Sequence, residues 1–287
     1  MDYGIVQFTS DRGLRAQDLA PLIEDAGFAA YYVPEHSHIP TRREAAHPRT
    51  GDASLPDERY TRTLDPWTSL AAAAAVTSRI ELSTAVALPV QSDPLTLAKT
   101  VATLDHLSRG RVALGVGFGW NLDELADHGV PAGRRRTMLR EYLEAMRALW
   151  TQEEAEYHGE FVDFGPSWAW PKPSRTIPVQ VGAAGTEKNF RWIARSADGW
   201  ITTPGETDID DSVALLASIW ADAGREGTPA ITALDIRPDA DRLAHWEEIG
   251  VTRVLYGLPD EDVDTARAYL EKLAGRVGLQ PPISRCG

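Results

Sequence analysis

Glu35, His36 and His38 are the densest group of chemically active side chains in the sequence, in the stretch EHSH at residues 35–38. They directly follow AAYYV at 29–33, an apolar and aromatic run that is typical of a buried β-strand. A histidine there can move a proton near neutral pH, and two histidines can share a metal ion. A third interpretation is that the imidazoles are only solvated at the polar end of a strand.

A metal site at EHSH would need ligands from other strands. His36 and His38 are two positions apart, so on a strand both would point the same way and could bind one metal, as in amidohydrolase-type barrels. Later strand candidates end in VGAAG at 181–185 and ITTP at 201–204, without histidine, cysteine or an acid at the tip. We therefore predict no metal. A solvated position stays open for His38, whereas His36 is close enough to the strand end to line a cavity.

A glycine-rich stretch, ALGVGFGW at 113–120, follows the fourth strand candidate. It is a poor match to a dinucleotide fingerprint, because its third glycine comes one position early and Trp120 and Asn121 follow instead of a helix start. Two interpretations stay open. The glycines either mark a strand end that needs a close backbone approach or let a flat ring lie against the backbone at a barrel mouth.

A second stretch of small residues, VGAAGTEKNF at 181–190, ends a strand candidate and leads into a helix candidate. The first turn of such a helix has exposed N–H groups, and Lys188 lies within it, so the stretch is a ready anion site. The alternative is a tight packing corner between strand and helix.

The elements that position these groups alternate along the whole chain. Short apolar runs predict eight strands, at 3–8, 29–33, 80–88, 111–117, 177–182, 199–203, 230–236 and 252–257. Amphipathic runs predict helices at 14–26, 66–78, 93–108, 134–150, 186–196, 209–225, 239–248 and 260–275. This order predicts an α/β fold, a single (β/α)8 TIM barrel domain over residues 1–287, rather than a doubly wound sheet, which would need a linker. The long stretches 37–65 and 151–176 are predicted insertions after strands 2 and 4, of the kind that form lids or binding loops.

Composition excludes several functional classes. A net charge of −13 would repel nucleic acid and anionic membranes, so we expect neither as a partner. Cys286 is the only cysteine, which rules out an intramolecular disulfide and favours a reducing compartment. Neither a signal-peptide pattern nor a run of 18 apolar residues occurs, so we predict a cytoplasmic protein.

Taken in order, four stretches resemble the luciferase-like monooxygenase family, which comprises flavin- or deazaflavin-dependent barrel oxidoreductases. They are EHSHIP at 35–40 and the long segments 63–121, 148–166 and 177–201. The form EHSHIP…RTLDP is similar to an actinobacterial branch assigned the deazaflavin coenzyme F420 rather than flavin mononucleotide (FMN). The resemblance implies hydride transfer between F420 and a small organic substrate at the carboxyl-terminal mouth of the barrel. The alternatives are an FMN-dependent monooxygenase and a non-catalytic cofactor-binding barrel.

The resemblance also implies roles for individual residues. Glu35 and His36 fall where F420-dependent members have an acid and a histidine near the reactive ring. The implied cofactor-binding residues are a nonproline cis peptide between Ala85 and Val86, then Gly117, Phe118 and Asn121, and on the phosphate side Gly182, Ala183, Ala184, Gly185 and Thr186. Candidate cations for the anionic tail of F420 are Lys188, Arg134 to Arg136 and Lys172.

One position departs from the family pattern. Some F420-dependent dehydrogenases have a catalytic glutamate where this chain has Trp120, so we expect Trp120 and His38 to shape an apolar or aromatic substrate pocket instead. A homodimer is also expected, because family members commonly pair and the nine tryptophans indicate apolar area beyond one core.

Overall fold

The computed structural model describes residues 1–203, 206, 208–259 and 262–280. Its strands are β1 (Asp2–Val6), β2 (Ala30–Val33), β3 (Glu81–Thr84), β4 (Leu114–Gly117), β5 (Ala155–His158), β6 (Asp163–Ser167), β7 (Val179–Gly182), β8 (Gly199–Ile201), β9 (Ala230–Asp235) and β10 (Arg253–Gly257). Its helices are α1 (Ala16–Asp25), α2 (Pro66–Val76), α3 (Pro94–Ser108), α4 (Leu122–Asp127), α5 (Arg135–Thr151), α6 (Glu187–Ser196), α7 (Ile209–Asp222), α8 (Ala240–Ile249) and α9 (Val263–Arg276). Cys286 and the first two residues of the helix predicted over 260–275 lie outside the described residues.

All of these strands except β5 and β6 belong to one parallel sheet, in the order β3, β2, β1, β10, β9, β8, β7 and β4. Its two ends, β3 and β4, meet through parallel bridges from Leu82 to Val112 and from Ala87 to Val116. The sheet thereby closes into a barrel with flanking helices, which confirms the predicted (β/α)8 fold class. Each predicted strand and helix has a counterpart, although the strand predicted over 80–88 extends only over 81–84. Of the described helices, none is both long and apolar enough to cross a membrane.

Short polar side chains fix the points at which helices leave the barrel mouth. Asp65 precedes Pro66 at the start of α2 and accepts a hydrogen bond from the Thr68 N–H at 2.7 Å. Asp93 and Pro94 repeat this arrangement at the start of α3. Proline suits the first helical position because the N–H that it lacks has no partner within the helix there. These caps end the loops that follow β2 and β3, so they help to shape the rim of the mouth.

Side chains inside the barrel form a charged layer below an apolar one. At the amino-terminal end of the strands, Arg253 makes hydrogen bonds with Asp2, Glu81 and the Tyr32 hydroxyl group. Above this layer lie the buried apolar side chains of Ala30, Tyr32, Ile201 and Leu255. The charged layer occupies the amino-terminal end, so the opposite, carboxyl-terminal end is where a ligand can enter.

The two predicted insertions occupy different places in the barrel. Residues 34–65 follow β2 directly, as predicted. Residues 151–176 instead follow α5, and their β5–β6 hairpin packs along that helix through a hydrogen bond from the Phe161 N–H to Glu141 at 2.7 Å. The prediction of an insertion after strand 4 was therefore wrong for this stretch, because β4 is followed directly by residues 118–134, which contain α4.

The end of the 151–176 segment lies away from the mouth. Lys172 donates hydrogen bonds to the backbone oxygens of Leu149 and Gln152, at the carboxyl-terminal end of α5. Because α5 runs from the mouth towards the amino-terminal ends of the strands, Lys172 is at the wrong end of the barrel to bind a ligand at the mouth.

Replacing Arg253 by Met should destabilise the fold. Its side chain is 16% exposed and is the shared cation for Asp2 and Glu81, so its removal leaves Asp2 without its ion-pair partner and leaves Glu81 only its longer pair with Arg175 at 3.8 Å. We expect the free energy of unfolding, measured by urea denaturation, to fall by about 3 kcal/mol. The control is Arg12→Met, because Arg12 and Glu58 form a surface pair with 59% and 66% exposed side chains, and this variant should lose less than about 1 kcal/mol. Equal losses in the two variants would contradict the role assigned to Arg253.

Candidate active site

His36 lies just beyond the carboxyl-terminal end of β2 and is held through one ring nitrogen. Its Nδ1 is 2.8 Å from Oε2 of Glu124, and the two side chains are 7% and 0% exposed. Within the described residues, no hydrogen bond is made to its other ring nitrogen, Nε2. The imidazole is therefore anchored on one side and available to a ligand on the other.

Glu124 reaches His36 from α4, which starts immediately after the strand-four loop. Asn121 caps this helix, since its side-chain oxygen accepts a hydrogen bond from the Glu124 N–H at 3.4 Å. The Ser37 N–H donates to the second carboxylate oxygen of Glu124 at 3.1 Å. A single buried carboxylate thus connects the end of β2 to the loop after β4. The expectation that no helix starts after Trp120 and Asn121 was wrong, because Asn121 is itself the cap.

Aromatic rings surround the His36 imidazole. The ring centroids of Trp120 and Tyr60 lie 5.8 Å and 5.5 Å from the centroid of His36. His47 packs edge-on against both, with centroids 4.6 Å from Trp120 and 5.0 Å from Tyr60. His47 and Tyr60 belong to the insertion after β2, so this insertion borders the site as predicted for a binding loop.

The rings of Trp120, Tyr60 and His47, which border His36, favour their uncharged forms. Burial, followed by the charge of His36, lowers the pKa of His47, and burial raises the pKa of Tyr60. The Nδ1 atom of His47 accepts a hydrogen bond from the Arg49 N–H at 3.0 Å, so its Nε2 donates to the Tyr60 hydroxyl group at 3.0 Å. The walls around His36 therefore offer ring faces and edges rather than charges.

Glu35 is half-buried and points away from its neighbour His36. Its Oε2 accepts a hydrogen bond from the Leu88 N–H at 2.5 Å, and its own N–H donates to the Val86 carbonyl oxygen at 3.1 Å. Burial raises the pKa of Glu35 to about 7, although the hydrogen bond from Leu88 opposes the increase. Glu35 thus lies against the loop after β3, while His36 lies against α4.

An apolar surface at the mouth lies between these loops. It consists of half-buried side chains packed on the apolar layer of the barrel, namely Val6, Ala85, Val86 and Leu234. The peptide bond between Ala85 and Val86 is cis, which confirms the prediction made from the resemblance. We call these four residues the apolar floor, since they are the exposed top of the barrel interior.

Two glycines make room for the centre of this floor. A Cβ atom on either Gly117 or Gly182 would lie 2.5 Å from a methyl carbon of Val86. A side chain at either position would therefore displace the Val86 side chain from its place in the floor. A flat ring at the mouth would meet the Val86 methyl groups rather than the glycine backbone.

The predicted anion corner at 182–186 leads into α6, whose cap is Thr186. Arg136 reaches this corner and donates a hydrogen bond to Oδ1 of Asn189 at 2.6 Å. Its guanidinium group lies 4.0 Å from the centroid of the Phe118 ring, and no described carboxylate forms an ion pair with it. Burial lowers the pKa of Arg136, so this cation is only partly hydrated.

Some of the predicted groups at this corner are used within the protein. The Gly185 N–H donates to Glu206 at 3.3 Å, and the Ala184 carbonyl oxygen accepts a hydrogen bond from the Asn189 side chain at 2.8 Å. Arg134 forms an ion pair with Glu160 at the tip of the β5–β6 hairpin. Arg136 therefore contacts the first turn of α6 without a carboxylate partner in the described chain, and Lys188, which is exposed on that same turn, likewise forms no ion pair with a described residue.

His38 is not brought together with His36. Its Nε2 is 2.9 Å from Asp127 and its Nδ1 is 2.9 Å from the Ser37 hydroxyl group, on the exposed side of α4. The described part of the chain contains no group of three or more histidine, cysteine or acidic side chains placed to hold a metal.

Sequence reasoning missed the partner of His36. The stretch NLDE at 121–124 has the spacing of a helix cap, so its glutamate reads as part of a helix start rather than as a site residue. The floor residues Val6 and Leu234 were also missed, because they read as ordinary strand residues.

Comparison with known proteins places the chain in a family. Residues 8–274 match the family model described as luciferase-like monooxygenase. The protein Rv0953c of Mycobacterium tuberculosis is 70% identical over 278 residues, which cover 96% of this chain and 99% of the relative.

Two solved structures share the fold at low sequence identity. The monooxygenase RslO1 from Streptomyces bottropensis has a TM-score of 0.77 at 21% identity, over 96% of this chain and 98% of that one. An F420-dependent secondary alcohol dehydrogenase, in complex with an F420-acetone adduct, has a TM-score of 0.75 at 17% identity over the same shares of the two chains. The family model spans most of the sequence, and the chain therefore belongs to the luciferase-like monooxygenase family.

Proposed function

We propose that the chain is an oxidoreductase that transfers a hydride between coenzyme F420 and a small organic substrate at the barrel mouth. The observation that carries this proposal is the buried His36, anchored through Nδ1 and with Nε2 unbonded by described residues, beside an apolar floor at the mouth. The adjacent rings of Trp120, Tyr60 and His47 are neutral. This environment suits an uncharged alcohol or carbonyl compound.

The residues at the mouth fit a deazaflavin in two respects. The floor of Val6, Ala85, Val86 and Leu234 is apolar and half-exposed, which suits one face of a planar ring. The half-buried Arg136 is without a carboxylate partner in the described chain and suits a phosphate or glutamate group of the cofactor. When bound, F420 supplies a ring carbon that accepts or releases a hydride.

The chain itself would move a proton and exclude water. Nε2 of His36 would accept the hydroxyl proton of an alcohol during its oxidation, or donate a proton to a carbonyl oxygen during reduction. Trp120, Tyr60 and His47 would keep bulk water from the reacting atoms, which strengthens electrostatic interactions there. Glu35 has a pKa of about 7. In both its protonated and its charged form, its side chain would accept the hydrogen bond from the Leu88 N–H and so hold the loop after β3 in place.

The main alternative is an FMN-dependent monooxygenase of the same family. The fold shared with RslO1 supports it, because an apolar floor accepts an isoalloxazine ring as readily as a deazaflavin. The resemblance of EHSHIP…RTLDP to an F420 branch favours F420. A non-catalytic cofactor-binding barrel would have no use for an anchored His36 with a free ring nitrogen.

Spectroscopic titration with each cofactor separates these functions. We expect F420 to bind with micromolar or tighter affinity and to be reduced or oxidised in the presence of members of a panel of secondary alcohols, aldehydes and enones. Binding of FMN together with no detectable binding of F420 would overturn the proposal. A third outcome would support the non-catalytic barrel. In that case the natural protein binds F420 but turns over no substrate of the panel, and the His36→Asn variant binds F420 equally well.

Replacing Gly182 by Ala should weaken cofactor binding while preserving the fold. The new methyl group would lie 2.5 Å from a Val86 methyl carbon and would displace it, thereby deforming the floor. We expect the dissociation constant of F420, measured by fluorescence titration, to rise about tenfold or more. Gly133→Ala is the matched control, because a Cβ atom there meets nothing within 4 Å. Unchanged affinity in a folded Gly182→Ala protein would show that the cofactor does not use this floor.

Replacing Glu35 by Gln should make the protein more stable at alkaline pH. The folded-state pKa of about 7 exceeds the ordinary value of 4.5, so the stability that the protonated carboxyl group contributes is complete below pH 4.5 and is lost as the pH rises through 7. The uncharged amide escapes this loss. We compare the free energy of unfolding of the variant with that of the natural protein by urea denaturation. We expect the difference in favour of the variant to be about 3 kcal/mol larger at pH 8 than at pH 4.

The matched control is Glu271→Gln, at an exposed position of α9, which removes a surface charge without touching the mouth. The contrary result is a free energy of unfolding of Glu35→Gln that differs from that of the natural protein by the same amount at pH 4 and at pH 8. Such a result would contradict the raised pKa of Glu35.

A further inference from the structure

We propose that Glu124 is a positioning residue that fixes the tautomer of His36, with the proton on Nδ1, and so makes Nε2 the nitrogen that reacts with substrate. The role of Nε2 towards substrate rests on the proposed function. The tautomer itself rests only on the contacts of Glu124 and can be measured without any cofactor.

The hydrogen bonds of Glu124 determine where the proton of His36 lies. A charged carboxylate is an acceptor only, so an imidazole nitrogen 2.8 Å away has to be the donor. The Ser37 N–H at 3.1 Å and the Asn121 side-chain amide at 3.4 Å are the other donors to this carboxylate. The fully buried carboxylate is thus used as an acceptor by these two groups as well, and a lone pair of His36 Nδ1 turned towards it would face acceptor oxygens.

Other ionisable groups near His36 cannot replace this contact. Glu35 binds the Leu88 N–H, and His47 is committed through both nitrogens to Arg49 and Tyr60. Asp127, on the same helix as Glu124, pairs with His38 on the exposed side. In the described chain, Glu124 is therefore the group that can fix the His36 ring.

Burial also excludes Glu124 from direct chemistry. Its side chain is fully buried behind His36, whereas Trp120, four residues earlier, packs its ring against the imidazole. A carboxylate without exposed surface cannot exchange a proton with a substrate. It can orient the imidazole and stabilise its positive charge, as carboxylates behind reactive or metal-bound histidines do.

The fixed tautomer defines the proton step. In neutral His36, Nε2 has a lone pair and can accept the proton of a substrate hydroxyl group. As the C=O bond forms, the proton of the alcohol O–H bond would go to Nε2, and F420, when bound, would supply the acceptor for the hydride of the adjacent C–H bond. In reverse, the imidazolium returns the proton to the carbonyl oxygen. With the opposite tautomer, Nε2–H would block the oxidation.

Nitrogen-15 NMR of the cofactor-free protein tests the tautomer directly. The His36 signals are identified by their absence from a His36→Asn protein. At a pH where the ring is neutral, we expect a protonated Nδ1 and an unprotonated Nε2. A neutral His36 with its proton on Nε2 would overturn the proposal, whatever cofactor the protein uses.

Glu124→Gln tests the consequence for catalysis. Its amide N–H can donate to Nδ1 and thereby favour the wrong tautomer, so we expect the NMR signals to switch and kcat for alcohol oxidation to fall about 100-fold or more, with KM little changed. Glu124→Asp keeps the charge and should retain the tautomer and restore part of the rate. If Glu124→Gln does not fold, the measurement on the natural protein still decides.

The matched control is Glu141→Gln, because Glu141 is another buried carboxylate that accepts a backbone hydrogen bond, from Phe161, but lies on α5 against the hairpin. This variant should keep both the tautomer and the rate. Loss of activity in Glu141→Gln equal to that in Glu124→Gln, or a folded Glu124→Gln protein with an unchanged tautomer, would contradict the positioning role. Absence of F420 activity in the natural protein would refute the proposed function and leave the tautomer measurement intact.

Discussion

The site depends on the very close approach of the backbones of β3 and β4, where the barrel closes. A Cβ atom on Gly115 would lie 1.9 Å from the carbonyl oxygen of Thr84, so only glycine permits this contact. The Thr84 hydroxyl group donates to the Gly115 carbonyl oxygen at 2.7 Å, and the Ala87 N–H donates to the same oxygen at 2.8 Å. This junction closes the sheet and holds Val86 at the centre of the apolar floor.

The charge distribution at the mouth follows from burial. The chain has a net charge of −13, yet the mouth combines neutral rings with a histidine–carboxylate pair, a carboxyl group whose pKa lies near 7, and the cation Arg136. Charges withdrawn from water are costly unless they are paired or neutralised. Glu124 meets this condition through three hydrogen-bond donors and Glu35 through its raised pKa. Arg136 meets it only by stacking on Phe118 and bonding Asn189, which is the arrangement expected where an anionic ligand supplies the missing charge.

The fold was predictable from the sequence because each βα unit carries local signals. A helix start such as Asp65-Pro66 or Asp93-Pro94 can be recognised from a few neighbouring residues. The same holds for the apolar periodicity of the helices and strands. The site was less predictable, because its main contact joins His36 and Glu124, which are 88 residues apart. His36 was identified from its place after a strand. Glu124 was not, because position in a helix does not tell which side chain reaches across to another loop. The 151–176 segment was misplaced for a related reason, since its length signalled an insertion but not whether it followed the strand or the helix.

The same reasoning explains why Trp120 and Glu124 have different tasks although they lie one helical turn apart. Gly119 has a positive φ of 75°, which turns the chain after β4, and Asn121 then starts α4 at once. This turn leaves the Trp120 ring packed against the imidazole and places Glu124 where the Ser37 N–H and the His36 ring can both reach its carboxylate. A longer loop would separate the two residues, and a strand would turn residues at even spacing to the same side. The glycine turn followed at once by the helix cap is thus the local feature that positions both residues. It places the Trp120 ring at the mouth and the buried Glu124 carboxylate beside Nδ1 of His36.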